Sequence, residues 1–249
     1  MSAKPEVRVF EGPDALCRAS REELLRRAQA AIDERERFAL VLSGGSTPKV
    51  LYASLADAKL DWSRVHFFFG DERCVPPDHA DSNYRMAREA LLSKIDVPPA
   101  NVHRIRAELA SVDEAAMSYQ HELRAFFELK EASDLPRFDL VLLGMGPDGH
   151  TASLFPETSA VDERERLVTA VWVPKFGVHR ITLTARAINA AACVLFIVAG
   201  TDKAETLKAV LEGPRKPREL PSQLILPHEG ELLWFVERAA ASELATAKR

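Results

Sequence analysis

Short apolar runs alternate along the chain with longer stretches in which apolar positions recur at helical spacing. Val7–Phe10, Phe38–Leu42, Val65–Phe69, Val102–Ile105, Phe138–Leu143, Leu167–Val173, Arg180–Thr184, Cys193–Ala199 and Leu232–Val236 read as strands. Phe138–Leu143 and Cys193–Ala199 are apolar enough to be buried on both faces. Between them, helices are predicted from Asp14, as cap, to about Glu36, and from Ser43–Pro48 to about Ala58. Others run from Tyr84 to about Leu92, from Ser111 to about Lys130, and onward from Thr201 or Asp202. Strands alternating with helices require right-handed crossovers, so the predicted fold class is α/β: a doubly wound, mainly parallel sheet with helices on both faces. No repeat, low-complexity tract or linker interrupts the pattern, and Gly213–Arg218 reads as an exposed loop. A single domain over residues 1–249 is expected.

Composition narrows the classes of partner. The net charge is −4 over 249 residues, and basic residues are scattered instead of interleaved with aromatics in one patch, so no nucleic acid is expected. No apolar run approaches transmembrane length and the N-terminus lacks a basic-then-apolar leader, so no membrane association and a cytoplasmic location are expected. Cys17, Cys74 and Cys193 are far apart, and no Cys-x-x-Cys pair suggests a disulfide or zinc site. The histidines show no metal-ligand spacing and there is no Gly-x-Ser-x-Gly elbow, which removes two hydrolase classes. A small-molecule substrate and a monomer, with weak self-association allowed, complete the expectation.

Four unusual segments follow predicted strands: Ser43–Pro48, Gly70–Arg73, Gly144–His150 and Gly200–Lys203. Ligands of open parallel sheets bind beyond the carboxyl ends of the strands, where such loops meet. Ser43-Gly44-Gly45-Ser46-Thr47-Pro48 has the features of a phosphate cradle: glycines for close approach, two hydroxyls, and a proline expected at the first helical position. Its spacing is not that of a Walker A loop. Gly144, Gly146 and Gly149 match the dinucleotide fingerprint in letters only, because Pro156 soon interrupts the chain and no acid closes the next strand. Instead they free the backbone around Asp148 and His150, an acid and an imidazole two residues apart. Histidine can take a proton from water and return it, with a carboxylate to hold its tautomer. Arg73 stands beside Asp71 and Glu72, either facing a ligand or in a local ion-pair network. Arg180 and Lys203 are candidate anion-binding cations or ordinary exposed ones.

Taken together, these segments resemble the 6-phosphogluconolactonases of the pentose phosphate pathway. The likeness rests on Leu42–Pro48, Phe69–Arg73 with Asp81-Ser82-Asn83-Tyr84, and Gly144–Pro156. Arg180–Thr184, Gly200-x-x-Lys203-Ala204 and Trp234-Phe235 extend it nearly from end to end. It implies hydrolysis of 6-phospho-D-glucono-1,5-lactone without metal or organic cofactor, with His150, Asp148 and Arg73 at the reacting centre. Ser43, Gly44, Gly45, Ser46, Thr47, Asp71, Arg180 and Lys203 would then hold the substrate and its phosphate. The related glucosamine-6-phosphate deaminases carry a glutamate five residues after the histidine; here that position is Phe155.

Overall fold

The computed structural model describes residues 5–245. Seven strands form one parallel sheet: β1 (Glu6–Phe10), β2 (Phe38–Leu42), β3 (Val65–Phe69), β5 (Val102–His103), β6 (Leu140–Leu143), β9 (Cys193–Val198) and β10 (Glu231–Glu237). Their order is β1-β10-β9-β6-β2-β3-β5, and every neighbouring pair runs parallel. The central strands β2, β6 and β9 are buried along their whole length, as their unbroken apolar sequences require. From β2 the chain crosses to β3 on one side, whereas from β6 it returns to β9 on the other. The connections after β2 and β6 therefore diverge, and the crevice between them is the switch point where open α/β sheets bind ligands.

The helices α1 (Pro13–Arg35), α2 (Ser46–Leu55), α3 (Asn83–Ala87), α4 (Val112–Phe126), α5 (Ala185–Ile188) and α6 (Ala204–Glu212) carry most of the crossovers. Three expected boundaries change. Helix α1 is capped by Gly12, without a side-chain bond, so Asp14 stands inside the first turn and favours the helix through its charge instead. Helix α2 begins at Ser46, which puts Pro48 at its third position, still within the turn whose N–H groups lack intrahelical partners. Helix α3 continues through one wider turn, Arg88–Leu92, and α4 ends at Phe126, short of Lys130.

A larger departure concerns three segments assigned by pattern to the main sheet or to a turn. Asp71–Arg73 is a short strand, β4, and it pairs antiparallel with β8 (Val178–Leu183), which pairs with β7 (Val168–Val173). Hydrophobic alternation marks a strand but carries no information about which sheet it joins. The β4–β8 register sets Arg73 directly opposite Arg180. Among the described residues no helix is long and apolar enough to cross a membrane.

Beneath the sheet edge, His66 on β3 lies among aromatic rings, 3.2 Å from the ring of His103 and 4.7 Å between centroids from Phe126. Burial, with His103 and Arg37 adding repulsion, pushes its imidazole down to about 4. The unfolded chain takes up this proton near pH 6.5, while the folded chain resists it until about pH 4. Stability from this residue is therefore complete above pH 6.5 and lost as pH falls through that window. The expected loss is about 2 kcal/mol for a partly buried ring. Urea unfolding at pH 7.5 and pH 4.5 should show a larger loss for the natural protein than for His66→Gln. Equal losses would rule out this origin.

Candidate active site

Loops from the carboxyl ends of β2, β6 and β9 enclose a cleft of about 540 Å³, with β4 and β8 at its side. Ser43–Pro48, Asp71, Arg73, Gly144–Gly146, His150, Arg180 and Lys203 all line it, so the separated motifs do meet. Asp148 stands one layer out, behind His150.

At the end of β2, Tyr52 brackets Ser43, its hydroxyl accepting from the Ser43 N–H at 2.8 Å and donating to the Ser43 carbonyl at 2.9 Å. The chain then turns through Gly45, whose φ of +111° suits only glycine, and α2 begins with its first turn lining the cleft. A side chain at Gly44 would strike the Asn83 amide, with a Cβ only 2.1 Å from Asn83 Oδ1. The loop thus combines free backbone N–H groups, the hydroxyls of Ser46 and Thr47, and the positive end of a helix.

After β6, the segment Gly146–His150 closes on itself: the Gly146 N–H donates to the His150 carbonyl at 2.9 Å and the Gly149 N–H to the Gly146 carbonyl at 3.0 Å. Thr206 and Ser222 brace it from outside by donating to the Pro147 and Gly149 carbonyls at 2.7 and 2.8 Å. Within this frame Asp148 Oδ1 lies 2.5 Å from His150 Nδ1. With the carboxylate on Nδ1, the proton belongs there and Nε2 keeps a lone pair. Burial opposes the Asp148 charge, but hydrogen bonds from His150 and Lys175 outweigh it and hold the carboxyl well below the usual carboxylate range. The His150 ring stacks on Phe155 with centroids 4.1 Å apart. Phe155 is thus an apolar platform for the imidazole.

The acid–acid–arginine trio divides. Asp71 is buried and accepts from Ser153 Oγ at 2.6 Å and Asn83 Nδ2 at 3.0 Å, with Arg180 at 3.8 Å. Glu72 points away from the cleft and accepts from the backbone N–H groups of Asn83 and Tyr84 at 2.7 and 2.8 Å, tying down the start of α3. Burial raises its carboxyl even so. Arg73 donates to the Asp81 carbonyl at 2.5 Å. Arg180 is packed over the rings of Phe155 and Phe176, 5.5 and 5.4 Å from their centroids, so it is no ordinary exposed cation. Lys203 is largely buried and paired with its neighbour Asp202 at 2.5 Å. Four buried polar atoms of cleft residues lack a partner: Ser43 Oγ, Arg73 Nε, Asn83 Oδ1 and Arg180 Nε. Such a concentration of unpaired groups belongs to a site made for a polar ligand.

Sequence reasoning missed Asn83 and Lys175 as members of this assembly. Asn83 was visible within Asp81-Ser82-Asn83-Tyr84, but nothing marked its amide as lying against Gly44. Lys175 sits in a hairpin between strands with no local signal at all.

The fold and cleft define a doubly wound α/β protein with its ligand crevice at the β2/β6 switch point. A family model described as glucosamine-6-phosphate isomerases/6-phosphogluconolactonase matches residues 11–234, and the chain belongs to that family. It is 43% identical over 242 residues to a 6-phosphogluconolactonase of Nostoc sp., across 97% of this chain and 99% of that one. To a 6-phosphogluconolactonase of Synechocystis sp. it is 44% identical over 218 residues, covering 88% and 89% of the two chains. The solved 6-phosphogluconolactonase from Trypanosoma cruzi matches with a TM-score of 0.87 at 30% identity, across 98% of both chains. The resemblance read from the motifs is borne out at the level of the family.

Proposed function

We propose that this chain hydrolyses 6-phospho-D-glucono-1,5-lactone to 6-phosphogluconate, with His150 as the general base. The observation that carries the reading is one arrangement: His150, backed by Asp148, shares a cleft with an anion-ready helix terminus and three cations. The curated relatives bearing the lactonase name match over nearly their whole length.

His150 Nε2 takes a proton from water as the water oxygen forms a bond to the lactone carbonyl carbon. The resulting imidazolium is stabilised by the ionised Asp148 on its other nitrogen. When the tetrahedral intermediate collapses, the bond from that carbon to the ring oxygen breaks. The departing oxygen then recovers the proton from His150, leaving a carboxylic acid that ionises in water. Arg73, with an unpaired Nε beside the cleft, stabilises the developing oxyanion or holds sugar oxygens. Gly44–Thr47, Arg180 and Lys203 hold the phosphate, which fixes the lactone against His150. Asp71, buried in the cleft wall, orients Arg180, and the whole site belongs to one catalytic unit spanning the chain.

Isomerisation or deamination of an amino-sugar phosphate is disfavoured because Phe155 supplies a platform for His150 and no proton-transferring group. The test is to generate the lactone in situ from glucose 6-phosphate and follow its disappearance against the spontaneous rate. Acceleration by catalytic amounts of protein supports the reading. Binding of phosphogluconate with no acceleration would replace it with a non-catalytic sugar-phosphate binder.

A further inference from the structure

We propose that Lys175 is a positioning residue of the hydrolytic site, setting the proton affinity of His150 through Asp148. This rests on the lactonase reading for its role in turnover, although the underlying coupling can be measured without it.

Lys175 lies in the short connection between β7 and β8, where Gly177 at φ +60° lets the chain reverse. Its ammonium is 2.8 Å from Asp148 Oδ2, while Asp148 Oδ1 holds His150 Nδ1. One carboxylate thus stands between an ammonium and an imidazole, one on each oxygen. A half-exposed lysine on a surface carboxylate is ordinarily worth little. Here the lysine is delivered by packing. The next residue, Phe176, sets its ring edge-on against Phe155, centroids 5.7 Å apart, and Phe155 is the platform under His150. Arg180 covers both rings from the side of β8. The hairpin tip is therefore bolted to the same aromatic that supports the imidazole, and its ammonium reaches Asp148 as a consequence.

The electrostatic effect has a definite sign. Asp148 favours the protonated imidazole, and the Lys175 charge on its far oxygen offsets part of that attraction. Lys175 therefore tempers the pull of Asp148 on the imidazolium. Without it, Asp148 acts on His150 undiminished and the imidazole holds its proton to higher pH. The other charged groups on this cleft are Asp71 and Arg73 from β4, Arg180 from β8, and Asp202 and Lys203 after β9. None of them is altered when Lys175 alone is replaced, so a comparison of variants isolates its contribution.

The experiment uses Lys175→Met, which keeps the aliphatic stem, and Lys175→Arg, which keeps the charge. The His150 ring is titrated by NMR in each full-length protein, and the pH profile of kcat/KM for the lactone is recorded alongside. In Lys175→Met the His150 midpoint should rise by about half a pH unit, as expected for losing one partly screened charge. The acid limb of kcat/KM should move the same way, and kcat should fall on the order of threefold to tenfold with KM little changed. Lys175→Arg should bring the midpoint back toward the natural value. An unmoved His150 midpoint in Lys175→Met overturns the proposal, even if turnover falls, because the coupling from Lys175 through Asp148 to the imidazole would then be missing. A natural protein that fails to accelerate lactone hydrolysis would instead overturn the proposed function, while the ring titration would still judge Lys175.

Discussion

Alanine in place of His150 is expected to reduce kcat for the lactone by about 10²–10⁴, the range a positioned acid–base group contributes. Phosphogluconate should still bind with near-natural affinity, because the Ser43–Pro48 loop and Lys203 do not depend on the imidazole for their conformation. His150 is also well placed for a clean experiment. It lies at the cleft, stacked on Phe155, and its removal leaves Asp148 paired with Lys175 instead of orphaned. A stopped assay corrected for spontaneous hydrolysis, paired with calorimetric titration of phosphogluconate, separates catalysis from binding. Hydrolysis at near-natural rates in His150→Ala would remove the histidine from the mechanism and turn attention to a base elsewhere in the cleft.

The second large effect is expected from a single methyl group. A Cβ at Gly146 would lie 2.0 Å from His150 Nδ1, 2.1 Å from Cε1 and 2.8 Å from Asp148 Oδ1. No real Cβ tolerates such contacts, so in Gly146→Ala the imidazole, the carboxylate or the turn must move. The turn is the least free to do so, being closed by the Gly146–His150 backbone bond and braced by Thr206 and Ser222. The ring is therefore displaced from Asp148. Displacement on the order of 1 Å costs about 10² in kcat, while the strain of overpacking costs about 1–3 kcal/mol of stability. Chemical denaturation and lactone kinetics on the same preparation would check both figures. A variant of natural activity would mean that the Asp148–His150 contact is dispensable to turnover.

These expectations rest on features of unequal visibility in the sequence. The parallel core was plain, because β2, β6 and β9 are buried on both faces and must be written in apolar residues. The Gly144–His150 segment was equally plain, since three glycines beside an acid and an imidazole have few other uses. The second sheet was not. β7 and β8 carry ordinary strand patterns, and β4 spans only Asp71–Arg73, too short for any periodicity to register. Helix ends moved by a few residues wherever backbone bonding, and not the apolar period, decided them.

The separate fates of Asp71, Glu72 and Arg73 show why side-chain roles needed more than letters. Alternation along β4 sends neighbouring side chains to opposite faces, so Glu72 turns inward to hold α3 while Asp71 and Arg73 line the cleft. Only the pairing with β8 sets Arg73 opposite Arg180.

By itself, then, the sequence determined the α/β class, the strands of the core, the glycine-rich loops at their carboxyl ends and the acid–imidazole pair. Each of these is a local matter of burial, backbone freedom or spacing within a few residues. Tertiary structure decided that Phe155 supports His150, that Asn83 lies against Gly44, and that Lys175 reaches Asp148 across 27 residues of chain. Those contacts arise from how sheets and loops pack against each other, and no period or motif along a single strand encodes them.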